Sequence, residues 1–289
     1  MRPLPALLLL FVFSVSVFAG EAELLTSGRA ALEKGDVAKA VSLFEKAVAA
    51  SPKSAEAHFL LGRAYGAQAQ KANVLKQASL AKKVSGAFER AVELDPNYLD
   101  ARQALVDYYT LAPGFMGGSN EKALAQAAEI KKRDPLQGHR AYSRIYLRDK
   151  KTDLARKELV DAVREQPNNP RAHQSLGMFL INTDKNYSGA LHEFEMALEL
   201  DPAYMPAYLR IGQHAAVTGT DFPRGETSIK KYLGHKPSGE EPNLATAWYW
   251  LGMLYEKQGR KAEAKQSFSN ALKLVPDDKN VKEALKRVS

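Results

Sequence analysis

Cysteine is absent from the 289 residues, which excludes disulfides, thiolate metal sites, a cysteine nucleophile and the acylated cysteine of a bacterial lipoprotein. Beyond residue 19 no apolar run approaches the roughly 20 residues needed to span a bilayer. Histidine is sparse: His58, His139, His173, His192, His214 and His235 contain no HExxH pair and no other ligand spacing on one helix face, so no metal site is expected. No serine stands in a nucleophile elbow. A phosphate-binding P-loop needs two glycines five apart followed by lysine and Ser or Thr. Here Gly114 is followed five residues later by Ser119, and Lys122 stands alone. Neither sign of charge dominates: 41 basic against 33 acidic residues leave +8, too modest an excess to imply nucleic acid. These absences leave no catalytic residue and no cofactor to assign, and a non-enzymatic protein is expected.

What is present begins with a leader. Arg2 gives a positive end, Ala6 to Phe18 is apolar, and no further charge occurs before Glu21. Val17-Phe18-Ala19 places small or medium residues where signal peptidase cuts, so removal of residues 1–19 and a periplasmic or secreted mature chain are expected. An uncleaved anchor would need a longer run or a basic flank, and Glu21-Ala22-Glu23 is acidic, so no stable membrane anchor should remain after cleavage.

The rest of the chain repeats itself. Seven times a small residue is followed by a bulkier one four later, another three later and proline five later. Ala40/Phe44/Ala47/Pro52, Val84/Phe88/Ala91/Pro96, Ala190/Phe194/Ala197/Pro202 and Ala264/Phe268/Ala271/Pro276 are the clearest sets. The others run through Ala123, Ala155 and Gly225. Steps of four and three keep side chains on one helix face, and the proline then ends the helix. About a dozen residues upstream of most sets lies a second helix with a central glycine: Gly28, Gly62, Gly177, Gly212 and Gly252. Such a glycine costs about 1 kcal/mol relative to alanine, so its recurrence predicts a close approach of the paired helix, with Ala40, Ala190 and Ala264 expected to answer it. Asp95-Pro96, Asp134-Pro135, Asp201-Pro202 and Ser51-Pro52 form the junctions, where Asp or Ser is expected to cap the next helix.

These features resemble the tetratricopeptide repeat (TPR) family, in an exported bacterial form, over nearly the whole mature chain. The resemblance implies an all-α, right-handed α-α superhelix of about seven helical hairpins. Its units would run at about 21–54, 55–98, 99–135, 136–169, 170–204, 205–239 and 245–278, with a capping helix at 279–288. About ten extra residues around Gln68–Gln77 predict a lengthened first helix or a longer turn in the second unit. The Leu111–Ser119 insertion raises Phe115 and Met116 between glycines, either tucked over a helix or offered to a partner. Gly225 at the small-residue position predicts that the sixth hairpin is the loosest.

The family also implies a concave groove, lined by first helices, that binds a protein or peptide. The groove places include Glu56, Phe59 and Arg63; Asp100, Gln103 and Asp107; Gln137, Arg140, Arg144 and Arg148; and Arg171 and Gln174. Arginine recognises carboxylates through forked hydrogen bonds, so Arg63, Arg140, Arg144, Arg148, Arg171 and Gln174 are candidate contacts for a partner with an acidic segment. The same arginines could instead pair with Asp100, Asp107 and nearby glutamates and stiffen the stack. A second function class stays open beside the scaffold: an exported solute-binding or transport-accessory protein for a small anionic ligand. His58, His139 and His173 share one place in their units, occupied by Trp248 in the last, and read as packing residues.

Overall fold

The computed structural model describes the backbone of residues 7–289 apart from residue 240, and side chains from residue 20 onward with the same exception. Arg2 lies outside the described residues, and the Val17-Phe18-Ala19 side chains are not described. The described residues form fifteen α-helices and no strand. They are α1 (Leu7–Glu33), α2 (Val37–Ala50), α3 (Ala55–Gln70), α4 (Val74–Leu94), α5 (Leu99–Leu111), α6 (Asn120–Arg133), α7 (Pro135–Arg148) and α8 (Thr152–Glu165). Then follow α9 (Pro170–Phe179), α10 (Tyr187–Leu200), α11 (Met205–Thr218), α12 (Phe222–Leu233), α13 (Leu244–Lys257), α14 (Lys261–Leu274) and α15 (Lys279–Val288). The chain divides into two compact units, 1–155 and 156–289, with the division inside α8. Among the described residues no helix is long and apolar enough to cross a membrane.

Within each unit consecutive helices pair: α1 with α2, α3 with α4 and α5 with α6 in the first; α9 with α10, α11 with α12 and α13 with α14 in the second. The small-bulky-small sets supply the buried faces, with Ala40, Phe44 and Ala47 of α2, Ala190, Phe194 and Ala197 of α10, and Ala264, Phe268 and Ala271 of α14 sealed from solvent. What meets the central glycine first is the bulky residue of the set, and at Gly177 the Ala190 carbonyl stands beside it, 3.1 Å from where a Cβ would lie. A Cβ on Gly62 would lie 2.6 Å from the Phe88 ring, and one on Gly177 or Gly252 would lie 2.5 Å from Phe194 or Phe268. Gly28 faces Phe44 in the same way, and Gly212 faces Ile229. The expected close approach is thus present: the alanines are buried, and the ring seats itself in the space of the missing side chain.

The junctions also differ from expectation. Asp134 does cap α7, accepting from the Gln137 N–H at 2.9 Å. Asp95 and Asp201 instead accept from Asn97 and Ala203 two residues on, closing Asx turns, and their next helices begin later behind Tyr98 and Tyr204. Ser54, rather than Ser51, caps α3. In the second hairpin the turn stays short, residues 71–73, and the extra length goes into the helices: α4 has 21 residues against 14 for α14. Gly225 packs against Ala215 and Leu254, while Ile229 and Tyr232 of the same helix are sealed. Helix α15 lies on α14 and buries Val281, Ala284 and Val288, closing the apolar end.

Candidate functional site

The first helices of the hairpins carry the candidate surface, and one recurrent contact sets their height. The fourth place of a unit reaches back six residues to the carbonyl of the junction proline. His58 Nε2 meets Pro52 O at 3.0 Å, Arg102 Nε donates to Pro96 O at 2.8 Å, His173 Nε2 meets Pro167 O at 2.9 Å, and Tyr208 Oη donates to Pro202 O at 3.1 Å. These histidines are thus structural. His173 is further held by Glu193 at 2.7 Å, and His139 is buried at the equivalent place. Among the described residues no group of His, Asp and Glu could hold a metal ion. Burial pushes the Arg102 guanidinium below its ordinary pKa, helped by Arg133, and its second bond is to Gln126.

A second contact fastens one hairpin to the next. Tyr65 donates to Glu45 at 2.7 Å and Tyr109 to Glu89 at 2.6 Å, each joining a first helix to the second helix before it. Tyr255 does the same to Glu226 at 2.9 Å. Burial raises the pKa of all three tyrosines and the carboxylates raise it further, so each phenol stays a donor.

In the first unit the groove places hold a mixed-charge surface. Arg63 is exposed and stands over the Phe59 ring at 5.9 Å, and Phe59 packs on Tyr98 at 5.0 Å between centroids. Burial pushes the Tyr98 phenol up to about 12, with Glu56 and Asp100 adding to it and Arg29 and Arg63 opposing. Gln103 donates to Asp107, and the Arg144 guanidinium lies 3.8 Å from the same carboxylate, with the two side chains 51% and 49% exposed. Arg140 is half-buried and engaged in contacts, and Arg148 is exposed at the end of α7.

In the second unit Arg171 is exposed and engaged, its N–H accepted by the Asn169 cap, and Gln174 accepts from Tyr204. The arginines that stiffen this unit are others. Arg156 forks onto Asp184 at 2.7 and 2.9 Å, Arg287 onto Glu256 at 2.8 and 2.9 Å, and Arg260 joins Glu226 at 2.7 Å. Burial pushes the Glu226 carboxyl up, but donors from Lys230, Arg260 and Tyr255 outweigh it and hold it at about 2. Arg210 escaped the groove frame because it sits at the sixth place. Burial lowers its pKa, its Nε has no hydrogen-bond partner, and its terminal nitrogen donates to Gln213 at 2.9 Å.

The Leu111–Ser119 loop is settled by its backbone. Met116 N donates to Pro113 O, Gly117 N to Gly114 O, Gly118 N to Pro113 O and Ser119 N to Tyr109 O, so these amides are spent inside the loop rather than turned to an anion. Gly117 takes φ +98°, and a Cβ on Gly118 would collide with the Ala112 carbonyl, which explains both glycines. Tyr108 donates to the Met116 carbonyl, and Met116 is half-buried. Phe115 does not tuck over a helix: it is 77% exposed.

Comparison with known proteins agrees with this geometry. Tetratricopeptide repeat models match residues 25–72 and 245–278. The anaphase-promoting complex subunit 3 of Schizosaccharomyces pombe is 30% identical over 98 residues, which is 34% of this chain and 14% of that protein. The general transcriptional corepressor ssn6 of the same yeast is 24% identical over 131 residues, 45% of this chain and 11% of that protein. The chain thus spans a small fraction of these relatives. Among solved structures, a tetratricopeptide repeat protein from Parabacteroides merdae aligns over 93% of this chain and 99% of its own at TM-score 0.56 and 16% identity. The Cut9–Hcn1 hetero-tetramer covers 93% and 48% at 0.53 and 14%, and the human IFIT1 dimer with m7Gppp-AAAA covers 92% and 62% at 0.56 and 19%. The chain therefore carries tetratricopeptide repeats, recognisable at both ends of the sequence, in an all-α fold shared with tetratricopeptide repeat structures over nearly its whole length.

Proposed function

We propose that the chain is an exported tetratricopeptide repeat scaffold that binds a protein or peptide segment on the groove side of its first helices and performs no catalysis. The observation that carries this reading is the Arg144–Asp107 contact: 3.8 Å between two half-exposed side chains. The arginines that brace the hairpins fork onto their carboxylates at 2.7–2.9 Å. An exposed pair at this separation contributes little to stability, and although Arg144 is engaged elsewhere as well, an incoming carboxylate can replace Asp107 with charge-assisted bonds. The neighbouring Arg63, Phe59 and Tyr98 add a cation over a ring and an aromatic step, a surface suited to an extended segment with acidic and apolar residues. Export is part of the proposal and rests on Arg2, the Ala6–Phe18 run and the Val17-Phe18-Ala19 signal.

Crosslinking and mass spectrometry in the native envelope test it. The expected result is a salt-sensitive polypeptide contact at Phe59, Arg63 or Arg144, on a chain whose intact mass begins at Gly20 or Glu21. Arg144→Ala should cost that partner about 1.5–3 kcal/mol while the melting temperature holds. A protein that melts earlier with its affinity intact makes Arg144 a strut and overturns the groove reading. A retained Met1 overturns export. The second reading, a small anionic ligand, has one observation in its favour: the half-buried Arg210, whose Nε–H is unsatisfied and which lies near the neutral phenols of Tyr204 and Tyr232. Stabilisation by small dicarboxylates that Arg210→Gln abolishes would favour it.

A further inference from the structure

The second hairpin ends in a tip away from the groove places. From residue 64 to 88 the sequence has no Asp or Glu, yet it carries Lys71, Lys76, Lys82 and Lys83. The extra residues carry α3 to Gln70 and start α4 early at Val74, so Lys76, Lys82 and Lys83 lie on α4 and Lys71 stands in the short turn before it. At its end Val74 is 66% and Leu75 86% exposed, the latter the most exposed large apolar side chain among the described residues. Beside them a shallow cleft of about 410 Å³ is lined by Gln68, Lys71, Ala72, Lys76, Ser79, Leu80 and Lys83, three ammonium groups and no carboxylate. Lys71 Nζ also touches the Gly35 carbonyl at 3.2 Å and Lys83 lies 5.0 Å over the Tyr65 ring, so both heads are held at the cleft. A third exposed apolar group, Phe115, belongs to the loop that packs on α4.

We propose that this tip docks the protein on an anionic phospholipid surface, with a headgroup phosphate in the lysine cleft and Val74 and Leu75 in the outer acyl layer. Each element matches one layer of such a surface. Val74 and Leu75 occupy the first turn of α4, where their neighbours leave them uncovered, and Lys71 and Lys76 flank them within about one turn, the distance over which lysine stems reach back to phosphates. Lys83 lies about 12 Å up the same helix, at the depth of the surface potential rather than of the lipid tails. Nucleic acid would use the lysines but would gain nothing from two aliphatic side chains at the tip, since base contact favours aromatic platforms. Contact through one apolar pair and a few lysines is reversible, which suits a scaffold that visits a membrane without being anchored in it.

Co-sedimentation of the full chain with vesicles tests the assignment. Phosphatidylcholine alone is compared with phosphatidylcholine containing phosphatidylglycerol, using wild type, Val74→Ser/Leu75→Ser, Lys71→Glu/Lys76→Glu and the charge-matched control Lys279→Glu/Lys286→Glu on α15. Wild type and control should bind the anionic vesicles. The lysine pair should lose more than about tenfold, since each charge near the surface is worth roughly fivefold. The serine pair should lose several-fold with an unchanged melting temperature. Leu75→Trp should shift to the blue on anionic vesicles and be quenched by brominated acyl chains. Equal loss in the α15 control would reduce the effect to net charge and overturn the site. Full binding by the serine pair, or short RNA bound in its place, would make the cleft a general polyanion contact and overturn the lipid assignment.

Discussion

Hairpins α3–α4 and α13–α14 share one joint and one tyrosine fastening to the helix before them, and differ in the charge and length around these. Gly62 with Phe88 and Gly252 with Phe268 seat a ring against a helix backbone in the same geometry. Around that joint the last hairpin pairs its charges with one another at the surface: Arg260 serves Glu226 and Glu263 and lies 4.2 Å over Tyr255, and Arg287 clamps Glu256. The second hairpin carries its length into two longer helices and leaves lysines, Val74 and Leu75 uncovered. The joint belongs to the fold, then, while freedom to differ lies with the tip and the groove face.

The strongest way to break this comparison is to remove the ring. Phe88→Ala and Phe268→Ala should each cost about 3–5 kcal/mol, and denaturant unfolding should find the two costs alike despite the different surroundings. Costs that diverge by more than half would show that the charged network or the long helices share the work of the joint. Filling the seat is next: Gly62→Leu and Gly252→Leu should each cost about 1–3 kcal/mol by overpacking. Because hairpins couple mainly to neighbours, hydrogen exchange should quicken near the substituted hairpin and leave distant ones protected. A uniform loss of protection would sink that view.

A smaller effect separates the hairpins by pH. The Glu226 carboxyl sits at about 2 in the fold against an ordinary value of 4.5, so its stabilisation is fully present above about pH 4.5 and is lost as pH falls toward 2. About 2 kcal/mol should disappear from the second unit over that window, and Glu226→Gln should flatten the dependence, as urea titrations at stepped pH would read. The smallest effect belongs to the tip: Leu75→Ser should change stability by less than about 0.5 kcal/mol, because the side chain packs on nothing it must keep.

How much of this the sequence showed depends on distance along the chain. The i, i+4, i+7 sets and their prolines announced the paired helices because the signal lies within one helix. The ring's share in the contact with the central glycine was harder to read, because the ring and the alanine lie on the facing helix one turn apart, and only the packed pair shows which comes nearer. The Arg144–Asp107 contact spans two hairpins, so whether arginine met carboxylate could not be read from either segment. The loop was legible in part: the insertion and its glycines stood out, whereas the Tyr108 contact to the Met116 carbonyl came only with the fold. Arg210 stayed hidden because the Tyr204 and Tyr232 phenols near it come from outside its own helix.

The contact from the fourth place to the proline carbonyl has one more consequence. An imidazole, a guanidinium and a phenol all make it, at 2.8 to 3.1 Å. What the hairpin demands there is a hydrogen at a certain height above the helix start, with indifference to the group that carries it. Such a latch is interchangeable hardware: His, Arg and Tyr can trade places while the spacing of the helices stays put. Letter-by-letter resemblance can then fade at this place from one hairpin to the next while the architecture does not.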